Sequence, residues 1–137
     1  AKQIGADLVF DAASKTLPSD IRQAVGQSID VVYDCVAIQQ TVSQAISLAD
    51  KAGTVMIVGV PSKEVTVPLP IIQDHQIRIQ GSATYLPADY HDSIKISSQP
   101  SFKAKEIVTA VFPKAQAQQA FDTAIAGEQI KVLIRFS

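Results

Sequence analysis

The sequence predicts an α/β fold: part of a doubly wound parallel sheet, followed by a smaller C-terminal α/β segment. Three observations predict it. The stretch "DVVYDCVAIQQTVSQAISLADKAGTVMIVGVP" (30–61) reads strand, helix, strand, which is a βαβ unit. Both of its strands are apolar almost throughout, as a parallel sheet covered by helices on both faces requires. After Thr84 the texture changes to a mixed polar helix, then strand, helix and strand again, which makes residue 84 the one candidate boundary. At 137 residues, 47% hydrophobic and 18% charged, the chain has a globular composition and enough length for a real core.

The elements follow in order. "AKQIGADLVFD" (1–11) reads as a helix end, with Gly5 just past it in a left-handed position, and then a brief buried strand at Leu8, Val9 and Phe10. "LPSDIRQAV" (17–25) is a short helix, with Pro18 tolerable in its first turn and Ile21 and Val25 on one face. In the helix after the strand 30–36, Val42, Ala45, Ile46 and Ala49 fall at i, i+3, i+4 and i+7, and Gly53 is expected to close it. "PIIQDHQ" (70–76) fits one helical turn, and "QIRIQGS" (76–82) alternates as a strand. "VTAVF" (108–112) reads as a strand. Ala117, Ala120, Phe121, Ala124 and Ile125 form a second apolar helical stripe. The closing strand "IKVLIRF" (130–136) places Ile130, Val132, Ile134 and Phe136 on one side.

Composition excludes several functions. Twelve basic against thirteen acidic residues leave a net charge of -1, without the concentrated basic surface that nucleic acid demands. No apolar run in this sequence is long enough to span a bilayer and no stretch of it reads as a signal peptide, so no membrane partner is expected. Cys35 is the only cysteine, which rules out an internal disulfide and any Cys–Cys metal spacing. A cytoplasmic protein is the simplest expectation.

Few residues suggest chemistry by type alone. His75 and His91 are acid–base candidates, but their spacing gives no metal motif, and surface histidines are the plain alternative. Cys35, in an apolar strand, reads either as a small hydrophobe or as a thiol with nothing cationic beside it in sequence. In doubly wound sheets ligands lie beyond the carboxyl ends of the strands, where Val36 and Gly59 fall. Gly59 would let a flat ring approach closely, or it is an ordinary turn glycine before Pro61. Gly81 is open to the same two readings. Lys131 would meet a phosphate, or is a solvated edge lysine.

Taken in register, "AKQIGADLVFD", "DVVYDCV", "AGTVMIVGVP", "VTVPLP…IRIQGSATY" and "VFPKAQAQQAFDTAIAGEQIKVLIRF" resemble the C-terminal portion of the medium-chain, zinc-type alcohol dehydrogenases. The likeness is to the sorbitol (polyol) and threonine dehydrogenase branch, and it covers essentially the whole chain. It implies a C-terminal fragment: residues 1–83 as the last part of a Rossmann-like NAD(P)-binding domain, and 84–137 as the segment that returns to the GroES-like catalytic domain. It further implies that Cys35, Val36 and Ile38 line the coenzyme cleft and that Val58, Gly59 and Val60 meet the nicotinamide end. Ser82, Ala83 and Thr84 would lie on its other side, Tyr85 toward the substrate, and Lys131 at the coenzyme pyrophosphate. The strand 76–82 would pair across a homo-oligomer seam.

The implied activity is hydride transfer between a secondary alcohol, such as a sorbitol-like polyol, and NAD(P). Zinc would belong to the intact enzyme, its ligands outside this chain, and the chain alone would be inactive. Where the family usually carries a Thr-Gly, Ser-Gly or Ala-Gly pair after the "DVVYDC" strand, this sequence has Val36-Ala37-Ile38. Two alternatives stand beside this reading: a zinc-independent quinone or enoyl-type reductase, and a non-enzymatic module that binds a partner through an exposed sheet edge.

Overall fold

The computed structural model of the protein describes residues 1–136. It divides into two units, Phe10–Thr84 on the one hand, and Ala1–Val9 with the chain from Tyr85 onward on the other.

In the first unit three strands, β1 (Val31–Asp34), β2 (Thr54–Ile57) and β3 (Arg78–Gly81), lie in that order and all run parallel. Val32, Val55 and Ile79 stand in one row of the register, Asp34, Ile57 and Gly81 in another. Parallel neighbours need a crossover, and helices supply it: α2 (Gln39–Leu48) joins β1 to β2, and α3 (Leu69–Asp74) precedes β3. The helix α1 (Leu17–Val25), with Pro18 in its first turn and left-handed Gly26 after it, packs beside α2.

The apolar stripe foreseen in α2 forms the core. Val42, Ala45, Ile46 and Ala49 are all buried against Val55 and Ile77, with Val32, Ile57, Val65, Val67 and Ile72 around them. Burying a side chain the size of Ile46 stabilises by about 1.5–3 kcal/mol. The helix stops at Leu48, short of Gly53. Its last carbonyls are taken by Arg22 of α1, whose Nη2 donates to Ser47 O at 2.7 Å and Leu48 O at 3.2 Å. Nη1 of Arg22 meets Asp50 Oδ1 at 3.0 Å, and Asp50 Oδ2 accepts from Ile29 N at 2.7 Å.

The parallel α/β sheet expected from the sequence is present, and within this unit its helices lie on one face. Val31 and Tyr33, on the opposite side of β1 from Val32, are 47% and 66% exposed. The strand order explains it. β1, β2 and β3 advance in one direction, and right-handed crossovers that advance in one direction leave their helices on one face.

In the second unit a short 3-10 turn, Lys2–Ile4, ends at Gly5 with φ 111°. The buried strand expected at 8–10 is absent: Leu8 and Val9 are about half exposed and carry no ladder. No strand among the described residues runs beside them, and an extended run without a neighbour has no pairing to stabilise it. Further on, α4 (Pro87–Ser97) begins with Asp89 Oδ2 accepting from Leu86 N at 2.7 Å, and α5 (Ala104–Ile107) follows. Then β4 (Ala110–Pro113) and β5 (Val132–Arg135) pair in parallel, connected through α6 (Ala117–Ile125). Of the stripe expected on α6, Ala120 is buried and Ala117 half-buried, whereas Phe121, Ala124 and Ile125 are exposed. Ile130 and Phe136 are exposed too, although Val132 and Ile134 are half-buried. Two strands and one helix offer too little surface to enclose stripes of that width. No helix of the described residues is long and apolar enough to cross a membrane.

Candidate functional site

The parallel register brings the carboxyl ends of β1, β2 and β3 side by side, so residues 35–38, 58–60 and 82–84 leave the sheet at one rim. Asp34, the last residue of β1, organises that rim. Its carboxylate is buried, with Oδ1 accepting from Val36 N and Ala37 N, both at 2.9 Å, and Oδ2 accepting from Thr41 Oγ1 at 2.8 Å. Thr41 Oγ1 also accepts from Ile38 N at 3.1 Å. The carbonyl oxygen of Asp34 accepts from Val58 N at 2.9 Å and Gly59 N at 3.0 Å, and Ile57 O accepts from Ser82 N at 2.9 Å. Burial works to raise the Asp34 pKa, but the N–H groups of Ala37 and Val36 and the Thr41 hydroxyl outweigh it and hold the carboxyl below its ordinary value.

Gly59 is explained by this packing. A Cβ there would lie 2.5 Å from Val36 C, 2.6 Å from Val36 N and 2.8 Å from Ala37 N. The chain's own backbone fills the space, so β2 can end against the β1–α2 turn only if residue 59 has no side chain. Gly81 differs, since a Cβ there would meet nothing within 4 Å.

The rim therefore turns the N–H groups of Val36, Ala37, Ile38, Val58, Gly59 and Ser82 inward. What it presents outward is apolar: Val36, Ile38, Val58 and Val60 are 55%, 47%, 42% and 90% exposed. Beside it, the loop 61–68 is strapped to the start of α2 by Gln39, whose amide donates to Thr66 O at 2.9 Å and accepts from Thr66 N at 2.8 Å. The cleft beneath that strap, lined by residues that include Ala37, Ile38 and Lys63, holds about 130 Å³. Ligand pockets start near roughly 300 Å³, so this cleft alone houses no coenzyme.

A family model described as zinc-binding dehydrogenase matches residues 1–99. The chain belongs to that family. It is 29% identical to D-xylulose reductase of Saccharomyces cerevisiae across 89% of this chain and 36% of the relative. It is 27% identical to sorbitol dehydrogenase of Ovis aries across 98% of this chain and 39% of the relative. Among solved structures, one described as a short chain alcohol dehydrogenase from Escherichia coli complexed with NADH superposes with a TM-score of 0.86 at 20% identity, covering 98% of this chain and 40% of that one, which speaks to the fold. The chain thus spans 36% and 39% of the length of these two relatives.

Within this zinc-binding dehydrogenase chain, the place where the family resemblance leads one to expect a glycine after the β1 strand is held by an alanine in a glycine's conformation. Ala37 has φ 60° and is 2% exposed, a left-handed backbone that costs an L-residue roughly 1–2 kcal/mol. Cys35 is exposed, as are Ser82, Ala83 and Thr84, the last with φ 59°. Tyr85 and Lys131 belong to the other unit. Tyr85 is exposed and stacks edge-to-face on Tyr90 at 5.7 Å. Lys131 is exposed just before β5, and its carbonyl accepts from Thr109 N at 3.1 Å. His75 lies 3.7 Å from Asp74 Oδ2, and His91 sits exposed on α4. Among the described residues no three of His, Cys, Asp and Glu gather as a metal site. The residue that sequence reasoning passed over is Asp34. Its signal was legible, a carboxylate among the apolar residues of the stretch 30–36, which has to find partners once buried.

Proposed function

We propose that this chain builds the nicotinamide-facing wall of an NAD(P)-dependent dehydrogenase that moves hydride between a secondary alcohol of the sorbitol-like polyol class and the coenzyme. The observation that carries the reading is the rim itself. Three parallel strand ends lie in register, the N–H groups of Val36, Ala37, Ile38, Val58, Gly59 and Ser82 are satisfied within the fold, and exposed valines and an isoleucine face outward. Such a surface suits a flat, neutral ring. Cys35, Val36 and Ile38 with residues 58–60 supply apolar contact and shed water, and backbone carbonyls are the polar groups left to accept from a carboxamide. Ser82, Ala83 and Thr84 bound the third strand end, and Lys131 and Tyr85 are assigned to pyrophosphate and substrate. NAD(P), when bound, supplies the hydride acceptor or donor. The described residues do not fit a zinc site, so the chain is given no part in holding that metal.

In this reading residues 1–83 complete a coenzyme domain and 84–137 a catalytic one; the division between Thr84 and Tyr85 supports that boundary, while the grouping of Ala1–Val9 with the second unit does not follow it. The edge strand β3, exposed at all four positions, is the oligomer seam. Incubating the full-length gene product with NAD or NADP and a panel of polyols is expected to yield reduced nicotinamide. No coenzyme-dependent oxidation of any secondary alcohol would overturn the reading. For the seam, Ile79→Lys is expected to convert a dimeric species to monomer in sedimentation, and a folded variant of unchanged mass would remove β3 from it.

A further inference from the structure

One residue joins the two apolar walls of the rim, its buried carboxylate holding the first and its backbone carbonyl the second. The Asp34 carboxylate holds Val36 N and Ala37 N at 2.9 Å, while its carbonyl holds Val58 N at 2.9 Å and Gly59 N at 3.0 Å. Through Thr41 Oγ1 at 2.8 Å it also reaches the first turn of α2. The walls rest directly on each other, since the backbone of Val36 and Ala37 fills the space beside Gly59. A shift of the β1–α2 turn therefore carries residues 58–60 with it. Ala37 sits in a left-handed conformation at φ 60°, which an L-residue keeps only where its surroundings hold it there. The bonds from Asp34 are such a hold, and bonds to an ionised carboxylate are roughly twice as strong as neutral ones. Asp34 itself is 5% exposed, so it reaches no ligand and acts only through its neighbours.

We propose that Asp34 is a positioning residue for the coenzyme, its carboxylate fixing the β1–α2 turn that forms one wall for the nicotinamide and backs the other. The proposal rests on the coenzyme reading above. A role confined to folding would reduce the fraction of active molecules and leave the affinity of the folded ones unchanged. A positioning role weakens coenzyme binding and spares turnover at saturation.

The test titrates NADH and NADPH into the full-length gene product and its Asp34→Ala and Asp34→Asn variants, with circular dichroism to establish folding. Asp34→Ala is expected to raise the coenzyme Kd at least about tenfold, equivalent to about 1.4 kcal/mol. Asp34→Asn keeps an acceptor for both N–H groups without the charge and is expected to raise Kd about threefold. In both variants kcat at saturating coenzyme stays within about twofold of wild type. Should the alanine variant not fold, the asparagine variant carries the test. Folded variants that bind coenzyme as tightly as a binding wild type overturn the positioning role alone. A wild type that binds neither coenzyme overturns the reading beneath it, and the positioning role with it.

Discussion

Gly59→Ala is the sharpest perturbation that the rim permits. The added methyl would sit 2.5–2.8 Å from three backbone atoms of Val36 and Ala37. None of them is the far end of a flexible side chain that could swing away. Ordinary contact begins near 3.4 Å, so the end of β2 must retreat from the β1–α2 turn by somewhat under about 1 Å, and overpacking of this kind costs about 1–3 kcal/mol. The retreat also stretches the bonds of Val58 N and Gly59 N to Asp34 O, each worth about 0.5–1.5 kcal/mol net. A total near 3 kcal/mol is expected, which for a chain of this size lowers the melting temperature by about 10 °C. Thermal unfolding followed by far-ultraviolet circular dichroism reads it directly. If the glycine served only to let a coenzyme ring approach, the alanine variant would melt with wild type and lose only coenzyme binding. A melting temperature within about 2 °C of wild type would refute the packing argument.

Four further outcomes are expected. Gly81→Ala, with open space at its Cβ, should leave stability unchanged or raise it by up to about 1 kcal/mol through the unfolded chain; a loss as large as that at Gly59 would contradict the contrast. Asp34 binds its proton less tightly folded than unfolded, so the unfolded state holds more protons and stability rises with pH. Its contribution is complete above the ordinary carboxylate value of 3.8 and drains as pH falls through the lowered folded value. The stability gap between wild type and Asp34→Asn in urea should therefore narrow from neutral pH toward about pH 3, and a constant gap would refute the depression. Ile46→Ala, at a site 2% exposed in the core of α2, should cost about 2–5 kcal/mol by urea denaturation, and a loss below about 1 kcal/mol would show that the cluster is not the core. Lys131→Met should raise the NADH Kd severalfold, by about 1 kcal/mol or more; an unchanged Kd removes Lys131 from the site.

Periodicity located α2, because spacing by 3, 4 and 7 leaves a helix one way to bury Val42, Ala45, Ile46 and Ala49, and the apolar runs on either side of it located β1 and β2 and so the βαβ unit. Pro18 and Gly5 marked a helix start and a turn end because proline and glycine restrict or free the backbone whatever surrounds them. Other features depend on neighbours that no local pattern names. The run 8–10 has strand composition but no adjacent strand among the described residues to pair with. Phe121 and Ile125 have the spacing of a buried stripe but no layer above them within their unit. At the rim, Gly59 read from the chain either as a place for a ring to approach or as a turn glycine, and Asp34 drew no reading at all. Their roles came from bringing residues 34–37 and 58–59 within 3 Å of each other, some twenty residues apart along the chain. Local preference follows from each side chain and a few covalent neighbours, whereas crowding, hydrogen-bond satisfaction and the orientation of N–H groups exist only once distant backbones meet.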